Sequence, residues 1–261
     1  MLCRKRDGRA YQAALVTGAS SGIGTAFARA LPSETDLLLT GRDAEALGAL
    51  AGELASDGRR VEILEADLAT DGGPDTVIAA AESFGIDLLI NNAGLGRFGK
   101  HLDNPAEAEA TTLRVNVEAM TRLCRGIVPG LIERARAAGE RAGLINMSST
   151  LAFAPVPQFA VYAASKAYVV SYTEALQAEL AREPIDLLLA LPGSVSTAVG
   201  DRAGYQGGRI PGAIEPETVA RKALVALGRQ RVVFTDRLSE AGLGPFATLR
   251  GRRQTPCNRR I

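Results

Sequence analysis

The run Thr17-Gly-Ala-Ser-Ser-Gly-Ile-Gly24 constrains this chain more than any other stretch. It follows the apolar residues 13–16 and precedes helical spacing at Ile23, Phe27, Ala30 and Leu31, so it joins a strand to a helix. Glycines at 18, 22 and 24 let the backbone turn tightly and approach a ligand with no Cβ in the way. The helix that follows offers free amides and the positive end of its dipole, which suits a phosphate. Gly18, Ser20, Ser21, Gly22, Ile23 and Gly24 are therefore the candidate contacts of a phosphorylated ligand.

Other readings of the glycine-rich stretches fail on specific residues. Residues 18–22 also satisfy Gly-x-Ser-x-Gly, the nucleophile elbow, with Ser20 at its centre. A triad would need a later histidine, and the only histidine is His101, with no acid-then-histidine order after it. Residues 94–100 nearly spell a P-loop, yet His101 stands where a Ser or Thr would ligate magnesium. Lys plus Arg number 30 against 29 Asp plus Glu, and Trp is absent, so no global field points to nucleic acid. Cys3, Cys124 and Cys257 lie too far apart in sequence for a zinc motif or a disulfide framework, which points to a reducing, cytoplasmic compartment and no metal. No run approaches the roughly 18 to 20 apolar residues of a membrane span.

The remaining pattern alternates strand and helix. Strands are expected at 36–41, 61–67, 87–91, 143–149, 185–191 and 232–235, and helices at 43–56, about 105–136, 159–181 and 217–227. Such alternation favours a parallel sheet covered on both faces. Residues 198–216, with five glycines and two prolines, read as a mobile loop beyond a strand's carboxyl end. The start, with Arg4, Lys5 and Arg6, and the arginine-rich tail read as solvated ends. The divisions are an extension at 1–11, one domain at 12–236 and a basic tail at 237–261.

Tyr162 and Lys166 stand four residues apart near the start of a helix, hence on one face. They follow the fifth strand, whose carboxyl end shares the sheet edge with the glycine-rich turn, and open α/β sheets bind ligands along that edge. A tyrosine with an ordinary pKa of about 10 is a poor base near neutrality, and a nearby lysine cation favours the phenolate. Ser149, at the end of the same strand, can donate a hydrogen bond to the substrate oxygen that the tyrosine serves.

With these residues in place the chain resembles the single-domain short-chain dehydrogenases/reductases. The motifs are Thr-Gly-x-x-x-Gly-x-Gly at 17–24, Asn-Asn-Ala-Gly at 91–94, Asn116 in Val-Asn-Val, Ser149 thirteen residues before Tyr162, Tyr-x-x-x-Lys, and Pro-Gly-x-Val-x-Thr at 192–197. The resemblance implies a Rossmann-type doubly wound parallel sheet in three α/β/α layers, and an oxidoreductase interconverting an alcohol with a ketone or aldehyde. It further implies Tyr162 as general acid/base, Ser149 orienting the carbonyl, and Lys166 binding the nicotinamide ribose while lowering the tyrosine pKa. Asn116 would hold a proton-relaying water. Asp67 and Leu68 would flank the adenine, Asn92 would lie along the cofactor, and Val195 and Thr197 would meet the nicotinamide amide. The rival class is a noncatalytic dinucleotide-binding or sensing protein, whose mark would be loss of Tyr162 or Lys166.

Cofactor choice turns on residues 41 and 42. An acid at the end of the second strand would bind the adenosine ribose and repel a 2′-phosphate. Gly41 stands there instead, followed by Arg42, which favours NADP(H) over NAD. Leu95, Phe98, Leu151, Phe153, Val156, Phe159 and Tyr205 suggest an apolar small-molecule substrate. The family's frequent C-terminal strand ending in a glycine pair is absent after Val233, and Thr150-Leu-Ala152 replaces the usual small residue and glycine after the serine. The first departure leaves a homodimer through the helices near Pro105 and Phe159 as the expected assembly.

Overall fold

The computed structural model describes residues 3, 5, 6, 8–56, 58–196, 213–236 and 240–243. Thr197, Tyr205, most of the 198–216 loop and nearly all of the basic tail lie outside the described residues.

Seven parallel strands form one sheet in the order β3-β2-β1-β4-β5-β6-β7. They are β1 (Ala13–Thr17), β2 (Asp36–Gly41), β3 (Val61–Glu65), β4 (Leu88–Asn91), β5 (Ala142–Met147), β6 (Ile185–Leu191) and β7 (Val232–Phe234). The helices are α1 (Gly22–Ala30), α2 (Ala44–Leu54), α3 (Gly73–Phe84), α4 (Ala106–Leu113), α5 (Met120–Ala138), α6 (Ala160–Glu179) and α7 (Pro216–Ala226). The chain builds outward from β1 through β2 to β3, then returns to lay β4 on the other side of β1. That reversal opens a crevice at the carboxyl ends of β1 and β4, the usual ligand position in such sheets.

The period of two along each strand divides the core into two layers. Ala13 and Leu15 of β1, Leu89 of β4 and Leu144 of β5 join Val77 of α3, Leu131 of α5 and Val169 of α6 on one face. Ala14 and Val16, Leu88 and Ile90, and Ile145 meet Phe27 of α1, Leu47 of α2 and Val219 of α7 on the other. The expected doubly wound three-layer architecture is thus the one observed.

Three local departures matter. The sequence reading does not single out α3, although Pro74 at its start, Gly85 with φ +78° at its end and the buried Val77, Ala81 and Phe84 are its local signals. The single helix expected over 105–136 is instead α4, a π-helical stretch from Arg114–Ala119, and α5. Such wide turns are frequent at functional sites, and this one carries Asn116.

The third departure is the chain's start, which is not solvated as its charges suggested. Cys3 and Lys5 are buried. Lys5 Nζ lies 2.8 Å from Asp87, also pairs with Glu140, and stands over the Tyr11 ring. Arg6 reaches the buried Asp186 at 2.9 Å. Asp87 and Asp186 sit at the amino ends of β4 and β6, where carboxylates entering the core need cationic partners; the extension supplies Lys5 to Asp87 and joins Arg141 at Asp186.

Candidate active site

The glycine-rich turn is held in place from β4. Thr17 Oγ1 accepts from the backbone N–H of Asn92 and of Ala93, each at 3.0 Å, and Asn92 Nδ2 donates to Thr17 O at 2.9 Å. Gly18 has φ +66°, and a Cβ there would stand 3.0 Å from Ala93 Cα. A Cβ on Gly24 would collide with the Gly18 carbonyl. Gly22 opens α1 with φ +55°. Neither a capping side chain nor an acid in the first turn occupies the N-terminal amides of α1, so Gly22, Ile23 and Gly24 offer them outward beside Ser20 and Ser21. This arrangement fits a dinucleotide pyrophosphate.

Along the same edge Asp67 follows β3 and turns its carboxylate onto Ala69 N at 2.9 Å, with Leu68 buried beside it. Gly41 ends β2, and a Cβ there would stand 2.9 Å from Ser20 Oγ. Arg42 is exposed and makes no ion pair among the described residues. The neighbouring Asp43 is committed to capping α2, accepting from Ala46 N at 2.9 Å. Val195 lies past β6 in a parallel bridge with Ile214, and Ser196 N donates to Ile214 O at 2.9 Å.

Ser149, Tyr162, Lys166 and Asn116 converge from three elements. Ser149 follows β5, and its Oγ accepts from Leu151 N at 3.2 Å while its side chain hydrogen-bonds the Tyr162 phenol. The 3-10 turn at Thr150–Phe153, opened by Ser149, aims that hydroxyl. Tyr162 and Lys166 stand one turn apart on α6 as their spacing required, with the ammonium 5.8 Å from the phenol ring centroid. Lys166 is buried, and its Nζ donates to Met147 O at 3.1 Å. Ser148 Oγ donates to Lys166 O at 2.7 Å, so the end of β5 grips this lysine at its head and its backbone.

Asn116 is spent on positioning. Its Nδ2 donates to Leu95 O at 2.8 Å and to Ser165 Oγ at 2.9 Å, and its Oδ1 accepts from Leu95 N at 2.8 Å. Ser165 in turn donates to Tyr162 O at 2.7 Å. Gly94 separates Lys166 from Asn116: a Cβ there would stand 3.1 Å from Lys166 Nζ and 3.4 Å from Asn116 Oδ1. Thr17, Gly94, Ser148 and Ser165 are supporting groups absent from the sequence-derived site. Thr17, Gly94 and Ser165 lie inside the quoted motifs, but their partners are distant in sequence.

Burial dominates the titration of the pair. It pushes the Tyr162 phenol above its ordinary value, opposed by the Ser149 hydrogen bond, and brings Lys166 down to about 8. The acidifying effect expected of Lys166 does not outweigh desolvation, and the Tyr162 phenol stays above its ordinary value. Of the expected apolar lining, Phe159 stands beside Tyr162 and Phe98 beside Phe159, whereas Leu95 and Phe153 pack against the core.

The family profile described as short chain dehydrogenase matches residues 12–206. The chain belongs to the short-chain dehydrogenase/reductase family. The Mycobacterium tuberculosis protein named "Probable oxidoreductase EphD" is 30% identical over 213 residues, which are 80% of this chain and 35% of that protein. The chain thus spans about a third of the length of that relative. A short-chain dehydrogenase from Sphingobium yanoikuyae in complex with NADPH superposes with a TM-score of 0.80 at 29% identity, covering 95% of this chain and 98% of the other. A family member from Burkholderia phymatum in complex with NAD gives 0.76 at 25% identity, covering 96% and 98%. Both of those solved structures hold a nicotinamide dinucleotide. Among the described residues no helix is long and apolar enough to cross a membrane.

Proposed function

We propose that this short-chain dehydrogenase/reductase interconverts an alcohol with a ketone or aldehyde using NADP(H), with Tyr162 as the general acid/base. The observation that carries the reading is the meeting of Ser149, Tyr162 and Lys166 on the edge that bears the glycine cradle. Bound there, the cofactor supplies or accepts the hydride. Ser149 donates to the substrate oxygen and Tyr162 delivers or removes its proton. Lys166 binds the nicotinamide ribose, and its depressed pKa, about 8, lets it exchange a proton near neutrality. Asn116, its side chain engaged by Leu95 and Ser165, holds the π-helical turn and is the residue proposed to order a relaying water.

The preference for NADP(H) rests on Arg42, free to meet a 2′-phosphate, and on Gly41, where an acidic side chain would press against Ser20. Asp67, Leu68, Asn92, Val195 and Thr197 are the proposed contacts along the rest of the cofactor. The substrate is a small, fairly apolar carbonyl compound or alcohol. Cys3 and Cys124 are buried free thiols, in keeping with the cytoplasm. A homodimer is proposed through α4 and α6, whose Leu113 and Tyr168 are large apolar side chains left exposed.

Tyr162→Phe tests the assignment: cofactor affinity should persist while turnover falls by roughly two to four orders of magnitude. Near-normal turnover of ketones by the Phe variant would remove Tyr162 from the chemistry.

A further inference from the structure

Two further rings, contributed by two loops, extend from the Tyr162 ring as a ladder. Phe159 lies 6.0 Å from Tyr162 between centroids and is tilted by 58°. Phe98, from the segment after β4, lies 5.2 Å from Phe159 and is tilted by 56°. Tilted rings at such spacing are in the arrangement aromatic pairs favour, and all three remain partly exposed.

The two loops are pinned to each other. Gly99 N donates to Gln158 O at 2.9 Å, and Asn104 Nδ2 donates to Gly99 O at 3.3 Å and to Glu109 Oε1 of α4 at 3.1 Å. Gln158, the residue before Phe159, has φ +68°, a left-handed conformation that a non-glycine residue keeps only where its surroundings enforce it. Gly96 lies so close to the Tyr162 ring that a Cβ would stand 3.0 Å from Cδ2. The first loop therefore follows the edge of the ring that carries the reacting hydroxyl.

We propose that Phe98 and Phe159 form a preformed aromatic wall that selects ketones bearing a ring next to the carbonyl, aryl or alicyclic, over open-chain ketones of equal size. This rests on the reading of Tyr162 as acid/base. A carbonyl oxygen held by Tyr162 and Ser149 puts the neighbouring substituent within reach of Phe159. A ring there extends the tilted packing and has almost no internal rotation to lose, whereas an alkyl chain must surrender several rotatable bonds to lie along the same wall. The pinned backbone keeps the wall from reshaping itself around a chain.

Cyclohexyl methyl ketone and 2-octanone test this, both being unconjugated eight-carbon methyl ketones, with acetophenone as the planar ring. In NADPH-dependent reduction by the wild-type chain, the ring ketones should exceed 2-octanone in kcat/KM by roughly 3- to 10-fold, the size of an aromatic packing term. Phe98→Leu and Phe159→Leu should each bring the ratio towards one, and Phe159→Tyr should retain it. The ratio is taken within each variant, so a general loss of activity cancels. A ratio near one in the wild type, or one unchanged in both Leu variants, overturns the wall. Should no ketone be reduced, the acid/base reading fails while the wall is still measured, by calorimetric titration of the NADP-saturated protein with the same ketones. Equal affinity for ring and chain would then overturn it, and a ring preference lost in the Leu variants would support it.

Discussion

Lys166→Met should destroy activity and make the protein more stable. Burial brings this ammonium from its ordinary 10.5 down to about 8. At 1.36 kcal/mol per pH unit, keeping it charged below pH 8 costs the fold about 3 kcal/mol. A methionine of similar length fills the same space without that cost. It forfeits the hydrogen bond from Lys166 Nζ to Met147 O, a loss on the order of 1 kcal/mol, so the net gain at pH 7 is about 2 kcal/mol. The pH dependence has a definite sign. Because the folded pKa is depressed, the unfolded chain binds more protons between about 8 and 10.5, and wild-type stability relative to the variant rises across that window. Urea unfolding of both proteins without cofactor, from pH 6 to 10, measures the difference. The variant's advantage should be constant up to about pH 8 and shrink towards zero or below by pH 10. A variant less stable at pH 7, or an advantage that does not narrow with pH, would refute the claim that desolvation governs this lysine.

Three further outcomes follow from named contacts. Wild type should bind NADPH over NADH by roughly 10- to 100-fold in direct titration, and Arg42→Ala should erase most of that ratio, since no other described partner competes for the guanidinium. Lys5→Met should lower unfolding free energy by about 2 to 4 kcal/mol at pH 7, because it leaves Asp87 without its cation while Glu140 keeps Arg9; urea denaturation reads this, and an unchanged midpoint would show that the Lys5 ion pairs contribute nothing. Light scattering should give twice the chain mass for wild type and the monomer mass for Leu113→Glu combined with Tyr168→Glu, both exposed now on α4 and α6.

Local signals were sufficient wherever function depends on neighbours in sequence. The glycine turn is legible because each glycine answers a local steric demand, positive φ at Gly18 and Gly22 and the close approach of Gly24 to the Gly18 carbonyl. Tyr162 and Lys166 are legible because one helical turn puts them on one face. The alternation of apolar runs and helical spacing was enough to predict a parallel sheet with two covered faces, and strand period two then assigned residues to each layer.

The chain's own sequence could not decide what depends on partners far along it. Lys5 reads as one more charge in a basic leader, and it becomes a buried counterion only because Asp87 and Glu140 enter the same space. The 105–136 stretch carries no local signal for a wide turn at Arg114–Ala119, where Asn116 meets Leu95 and Ser165, partners distant in sequence. Tyr-x-x-x-Lys specifies a shared face but not its environment. The packing of β5 against α6 strips Lys166 of water and hands its proton-bearing nitrogen a single carbonyl, and that desolvation, a property of the assembled core, sets its pKa.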